Sequence, residues 1–166
     1  MARSQGDLTV TLSVLDRLID REPRMQSEAP LTRSQSVRIM KAAVQRDLEW
    51  LLNTRRIFEE PDEGLKEVNK SVYVYGLPDF STYAIGSQAD RAKLVRQITT
   101  AIKTFEPRLL NPRVIPVEVT DGGIQQLYFR IEALLAMDPS PEPVSFDTAV
   151  ELRSGTCRLS GGPNAG

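Results

Sequence analysis

Catalysis by this chain would have to run on carboxylates. The 166 residues include no histidine, so the usual general base, proton shuttle and commonest transition-metal ligand are missing together. Serine–histidine and cysteine–histidine nucleophiles are thereby excluded. The single Cys157 can form no intrachain disulfide, and one sulfur without imidazole cannot close a zinc site. Neither G-x-G-x-x-G nor G-x-x-x-x-G-K occurs, so no glycine loop is present to cradle a phosphate. What remains is an acid pair of the kind that flanks a glycosidic bond at roughly 5–9.5 Å. Glu49 and Glu106 are the least ordinary of the 22 acidic residues, but no spacing couples them. The chain therefore reads as a protein without enzyme activity, metal, cofactor or small-molecule ligand. A carboxylate-dependent muramidase-like hydrolase acting on peptidoglycan is the alternative.

Glu106 carries a second implication. It closes a helical pattern directly before Pro107, where the negative end of the helix dipole disfavours a carboxylate by about 0.3–1 kcal/mol. It should have a cationic partner. Pro107 stops the helix and biases Glu106 away from helical geometry, so Glu106 and Arg108 should emerge as a fixed charged pair at a corner. Two readings stay open: an internal ion pair, for instance with Arg55 or Arg56, and a docking corner for a partner protein. On the docking reading, alanine at Glu106 or Arg108 leaves the melting temperature nearly unchanged.

The elements that must hold these groups are set by periodicity. Leu8, Leu12, Leu15 and Ile19 recur at helical spacing after Asp7, and Pro23 and Pro30 interrupt the next stretch, predicting a short helix and a linker over residues 1–30. Thr32 and Gln35 form a capping-box signature opening a long helix to about Asn53. Its main stripe is Val37, Met40, Val44, Leu48, Leu51 and Leu52, with Ile39, Ala43 and Trp50 on a second stripe that could meet either a partner or more of the same core. Residues 59–67 read as a solvated acidic loop, and Tyr75 to Phe80 as a turn anchored by rings. Another helix spans about Gln88 to Phe105, with Leu94, Ile98 and Ile102 inward and a basic outer face.

From Arg113 the period changes to two, which marks strands. Ile115, Val117 and Val119 are expected on the inner face, then Leu127, Phe129, Ile131 and Leu135 after a hairpin at Asp121-Gly122-Gly123, then Phe146, Thr148 and Val150. Ser154-Gly155 turns into a short strand through Cys157 and Leu159, and an edge open to a partner strand is expected either here, around Thr156 to Leu159, which is favoured, or along Arg113 to Val119, where Pro116 limits pairing. The fold class is α+β, with about three N-terminal helices on one face of a small, mostly antiparallel C-terminal sheet of three to four strands. Residues 31–160 form one domain, and 161–166 a disordered tail.

With 21 basic and 22 acidic residues, the net charge of −1 recommends neither nucleic acid nor an anionic membrane. No apolar run approaches the roughly 18 residues of a membrane helix. The opening residues MARSQGD lack the apolar stretch of an export signal, so a cytoplasmic protein without membrane insertion is expected.

Several segments, taken in order, resemble one family. They are Arg46-Asp47-Leu48-Glu49 leading to Leu52-Asn53-Thr54-Arg55-Arg56, then Tyr75-Gly76-Leu77-Pro78-Asp79-Phe80, and Phe105-Glu106-Pro107-Arg108-Leu109 with Asn111 and Arg113. Phe129-Arg130-Ile131-Glu132-Ala133 and Pro143-Val144-Ser145-Phe146-Asp147-Thr148 extend the likeness into the sheet. Together they resemble the TssE family, the type VI secretion baseplate subunit related to the small wedge protein of contractile phage tails once called lysozyme-like. The acidic loop, Val74 before the turn and the glycine-rich tail depart from that pattern. The resemblance implies a structural baseplate component that contacts TssF, TssG, TssK and sheath subunits and initiates or anchors the sheath at the inner side of the cell envelope. It also implies that Glu106, Pro107 and Arg108 contact the central helical bundle of the wedge. Ile39, Trp50, Arg55, Cys157 and Leu159 complete the expected partner-binding set.

Overall fold

A computed structural model describes residues 14–18, 32–57, 59, 61–84, 87–117, 126–151 and 154–161. Helix α1 is Val14–Leu18, α2 is Arg33–Asn53 and α3 is Gln88–Phe105. The strands are β1, Leu109–Val117; β2, Gln126–Leu135; β3, Glu142–Glu151; and β4, Thr156–Gly161. They form an antiparallel meander in the order β1-β2-β3-β4, leaving β1 and β4 as edges. The expected α+β class is present, with one correction: among the described residues two long helices, rather than about three, lie against the sheet, α2 near β3 and β4 and α3 near β1. The fragment α1 is only five residues long and reaches α2 through an ion pair. The remainder of the expected first helix, the linker, the Asp121-Gly122-Gly123 hairpin and the tail beyond Gly161 lie outside the described residues.

Local chemistry sets the helix ends. Thr32 accepts from the Gln35 amide while the Gln35 side chain accepts from the Thr32 amide, the reciprocal capping box its sequence spells out. Ser87 caps α3 through the Asp90 amide. Between α2 and α3, Leu77 N–H donates to Thr54 O and Arg56 N–H to Leu77 O, at 2.9 and 2.8 Å. Gly76 enters this bridge at φ +104°, with a Cβ position only 2.4 Å from Thr54 O, so no side chain fits there. Phe80, fully buried under the Arg55 guanidinium, and Tyr75, edge-on to Phe105 at 5.1 Å, anchor the same turn.

One core lies between the layers, built from Val44, Leu48 and Leu52 of α2, Leu94, Ile98 and Ile102 of α3, and Phe129, Ile131, Phe146 and Val150 of the sheet. Ala43 is buried as well, so the second stripe of α2 is not a continuous outer face; Ile39 is half-buried and Trp50 is 52% exposed. The first strand departs from expectation. It begins at Leu109, and Ile115 and Val117 face outward while Val114 is buried. The cause is a bulge: the register with β2 shifts between Leu110 and Arg113, where Asn111 adopts φ +51°. The extra residue exchanges the two faces, and strict alternation from Leu109 would otherwise have carried Ile115 inward.

Candidate functional site

Helix α3 ends at Phe105, and Glu106 caps it with φ −122° and its amide on Ile102 O. Pro107 then turns the chain into β1. This places Arg108 two residues beyond Glu106 with its guanidinium folded back on the carboxylate. Nε donates to Oε1 at 2.6 Å and Nη2 to Oε2 at 2.5 Å, while the Arg108 amide donates to Oε1 at 3.3 Å. Glu106 is only 3% exposed. The cation that the helix end required is therefore Arg108, rather than Arg55 or Arg56.

The pair continues onto α2. Arg108 Nη2 also donates to Asp47 Oδ2 at 2.6 Å, and the other Asp47 oxygen accepts from Arg46 Nε and Nη2 at 2.9 and 2.7 Å. Arg46 Nη1 then donates to Asp16 of α1 at 2.7 Å. Glu106, Arg108, Asp47, Arg46 and Asp16 thus alternate in sign along one chain of contacts. Hydrogen bonds to Glu106 and then Asp47, opposed by burial, hold the Arg108 guanidinium well above the usual arginine range. Burial first, then the charges of Asp47 and Glu106, push the Tyr75 hydroxyl upward.

Beside this network lies a cleft of about 300 Å³ lined by Arg46, Trp50, Leu51, Tyr75, Phe105 and Arg108 among others. The Arg46 guanidinium stands over the Trp50 ring at 5.1 Å, a cation–π contact one helical turn apart. Arg108 Nη1 is buried and finds no acceptor among the described residues. An enclosed donor without an acceptor carries a desolvation cost of about 1–3 kcal/mol, which an incoming oxygen would relieve.

The structure unites Trp50, Glu106 and Arg108 in this cleft. Ile39 is not part of its lining. Arg55 lies elsewhere, stacked over Phe80 at 4.3 Å and donating to Gly155 O at 3.1 Å. Cys157 and Leu159 have buried side chains, and the expectation of an open edge at these residues is corrected: Asn53 and Gln45 of α2 bond their backbone groups. Sequence reasoning misses Asp47, Arg46 and Tyr75 as site residues. The one available signal is helical spacing, since Arg46, Asp47 and Trp50 fall within about one turn. Among the described residues no cluster of histidine, cysteine, aspartate or glutamate could hold a metal ion, and no helix is long and apolar enough to cross a membrane.

The described residues form a helix-covered antiparallel meander with a charged cleft beside the Glu106–Arg108 ion pair. Residues 38–140 match the family of baseplate wedge protein gp25, and the chain belongs to that family. The match spans α2 from Arg38, α3, β1 and β2, and includes the Glu106-Pro107-Arg108 corner. No curated protein and no solved structure matches the chain.

Proposed function

We propose that this protein is the nonenzymatic baseplate wedge subunit of a type VI secretion apparatus, docking on TssF, TssG and TssK and starting the sheath. Membership of a structural baseplate family supports that role. One observation carries the docking reading: buried Arg108 Nη1 lacks an acceptor among the described residues, beside a cleft whose outer wall is the half-exposed Trp50. A partner helix that laid an apolar residue against Trp50 and an oxygen against Arg108 would fill both needs. Glu106 orients Arg108 from within, and Pro107 fixes the corner. Sheath subunits would add an extended strand to the sheet, since the open meander leaves β1 and β4 each without a strand neighbour on one side. Assembly occurs in the cytoplasm, at a baseplate docked on the inner side of the envelope.

The test is co-purification with TssF, TssG and TssK from the same apparatus, using Trp50→Ala. An exposed aromatic contributes little to the isolated fold and much to an interface, so recovery of the complex should fall by at least about tenfold with the melting temperature unchanged. Full recovery with Trp50→Ala would remove the cleft from the docking site. Failure of the parent chain to co-purify would remove the proposed partners.

A further inference from the structure

The edge of the sheet at β4 is closed by two side-chain amides. Asn53 Oδ1 accepts the Cys157 N–H at 2.8 Å, and Asn53 Nδ2 donates to the Cys157 carbonyl at 2.9 Å. One carboxamide therefore satisfies the donor and the acceptor of a single strand residue, as the peptide groups of a neighbouring strand would. Gln45, about two turns earlier on α2, donates Nε2 to the Leu159 carbonyl at 3.1 Å. Cys157 opposes Val150 and Leu159 opposes Thr148 in β3. Alternate residues of an antiparallel strand aim their peptide groups the same way, so the row shared by Cys157 and Leu159 points outward from the sheet.

The two edges differ in what they could offer a partner. Edge strand β1 contains Pro112 and Pro116, neither of which has an N–H to donate. Edge strand β4, with sequence TCRLSG, contains no proline. The edge with the complete set of donors is thus the one that α2 covers with amides. An uncovered edge of that kind would pair with other copies or with unrelated chains. Asn53 is exposed and Gln45 half-buried, so both amides would be hydrated on release, and Asn53 would keep its bond to Glu49 O at 2.8 Å.

We propose that Asn53 and Gln45 form a displaceable latch on the strand-accepting edge, exchanged one bond for one bond when an extended segment of the sheath subunit docks on β4. The proposal rests on the sheath-starting reading above. The latch keeps the edge unpaired until the correct segment, whose side chains contribute contacts that the amides lack, supplies the replacement.

The experiment compares the parent chain with the Gln45→Ala, Asn53→Ala double variant. Both sites lie on helix α2, where alanine is the best helix former, so folding should survive. Two readouts are needed: exchange of the Cys157 amide in the free protein, and the association rate with the sheath subunit of the same apparatus. Each should rise by about three- to tenfold, the scale of a hydrogen bond's net contribution. Sedimentation should also show more self-association than in the parent. Faster exchange with an unchanged association rate would overturn the latch while leaving strand addition intact, provided that the parent's β4 amides become protected in the complex. Unprotected β4 amides in the parent complex would overturn strand addition at this edge and the latch with it. Should the double variant fail to fold, Asn53→Asp keeps the acceptor for the Cys157 N–H but loses the donor to its carbonyl. It should give a smaller rise in both rates, and parent-like rates would refute the latch.

Discussion

Replacing Glu106 by glutamine tests whether the corner is held from inside. The side chain keeps its shape, but one carboxylate oxygen becomes an amide donor facing a guanidinium that has only donors to offer. Arg108 loses the partner that binds it at 2.6 and 2.5 Å, in a place where the Glu106 side chain is 4% exposed. Breaking a buried pair by removing one charge costs about 3–5 kcal/mol. Asp47 still holds Nη2, and a fifth of the Arg108 side chain remains in solvent, which lowers the expectation to about 2–3 kcal/mol. At about 2–4 °C per kcal/mol for a domain of this size, the melting temperature should fall by about 4–12 °C. The assay is thermal unfolding followed by circular dichroism, with Arg33→Ala as a control. Its partner Glu142 is equally exposed, and that surface pair should contribute no more than about 1 kcal/mol. Melting of Glu106→Gln within about 2 °C of the parent would refute the argument and return Glu106 to the role of a docking residue that the isolated fold does not need.

Four further outcomes are expected. Burial pushes the Cys157 thiol up to about 12, against the opposing charge of Arg55, so the folded protein should react with a disulfide reagent at about pH 8 roughly a thousandfold more slowly than an ordinary cysteine. Because the folded value is raised, the neutral thiol's contribution to stability is complete below the unfolded value of about 8.5 and is lost as pH climbs toward 12; urea midpoints across that range check the sign. Gly76→Ala forces a Cβ to 2.4 Å from Thr54 O at a positive φ and should destabilise by at least about 1–3 kcal/mol, seen as a lower urea midpoint. Purified protein should release no soluble fragments from peptidoglycan; robust cleavage abolished by Glu49→Gln in a folded protein would establish the hydrolase instead.

What the sequence determined by itself is whatever depends on neighbours along the chain. The capping box at Thr32 and Gln35, the stop at Pro107, the ring-anchored turn after Tyr75 and the two-residue period of β2 and β3 are all local, and each appears where its residues imply. The absence of histidine likewise excluded whole classes of chemistry from composition alone. Tertiary structure decided the rest, because it depended on which distant groups meet. A single bulge at Asn111 reversed the faces of β1, and no periodicity announces one extra residue. The charge beside Glu106 could be required by electrostatics, but packing chose Arg108 and tied it to Asp47, 61 residues away in sequence. The edge of β4 looked open because alternation reports faces, not sides; only the close passage of α2 shows that Asn53 and Gln45 already occupy it.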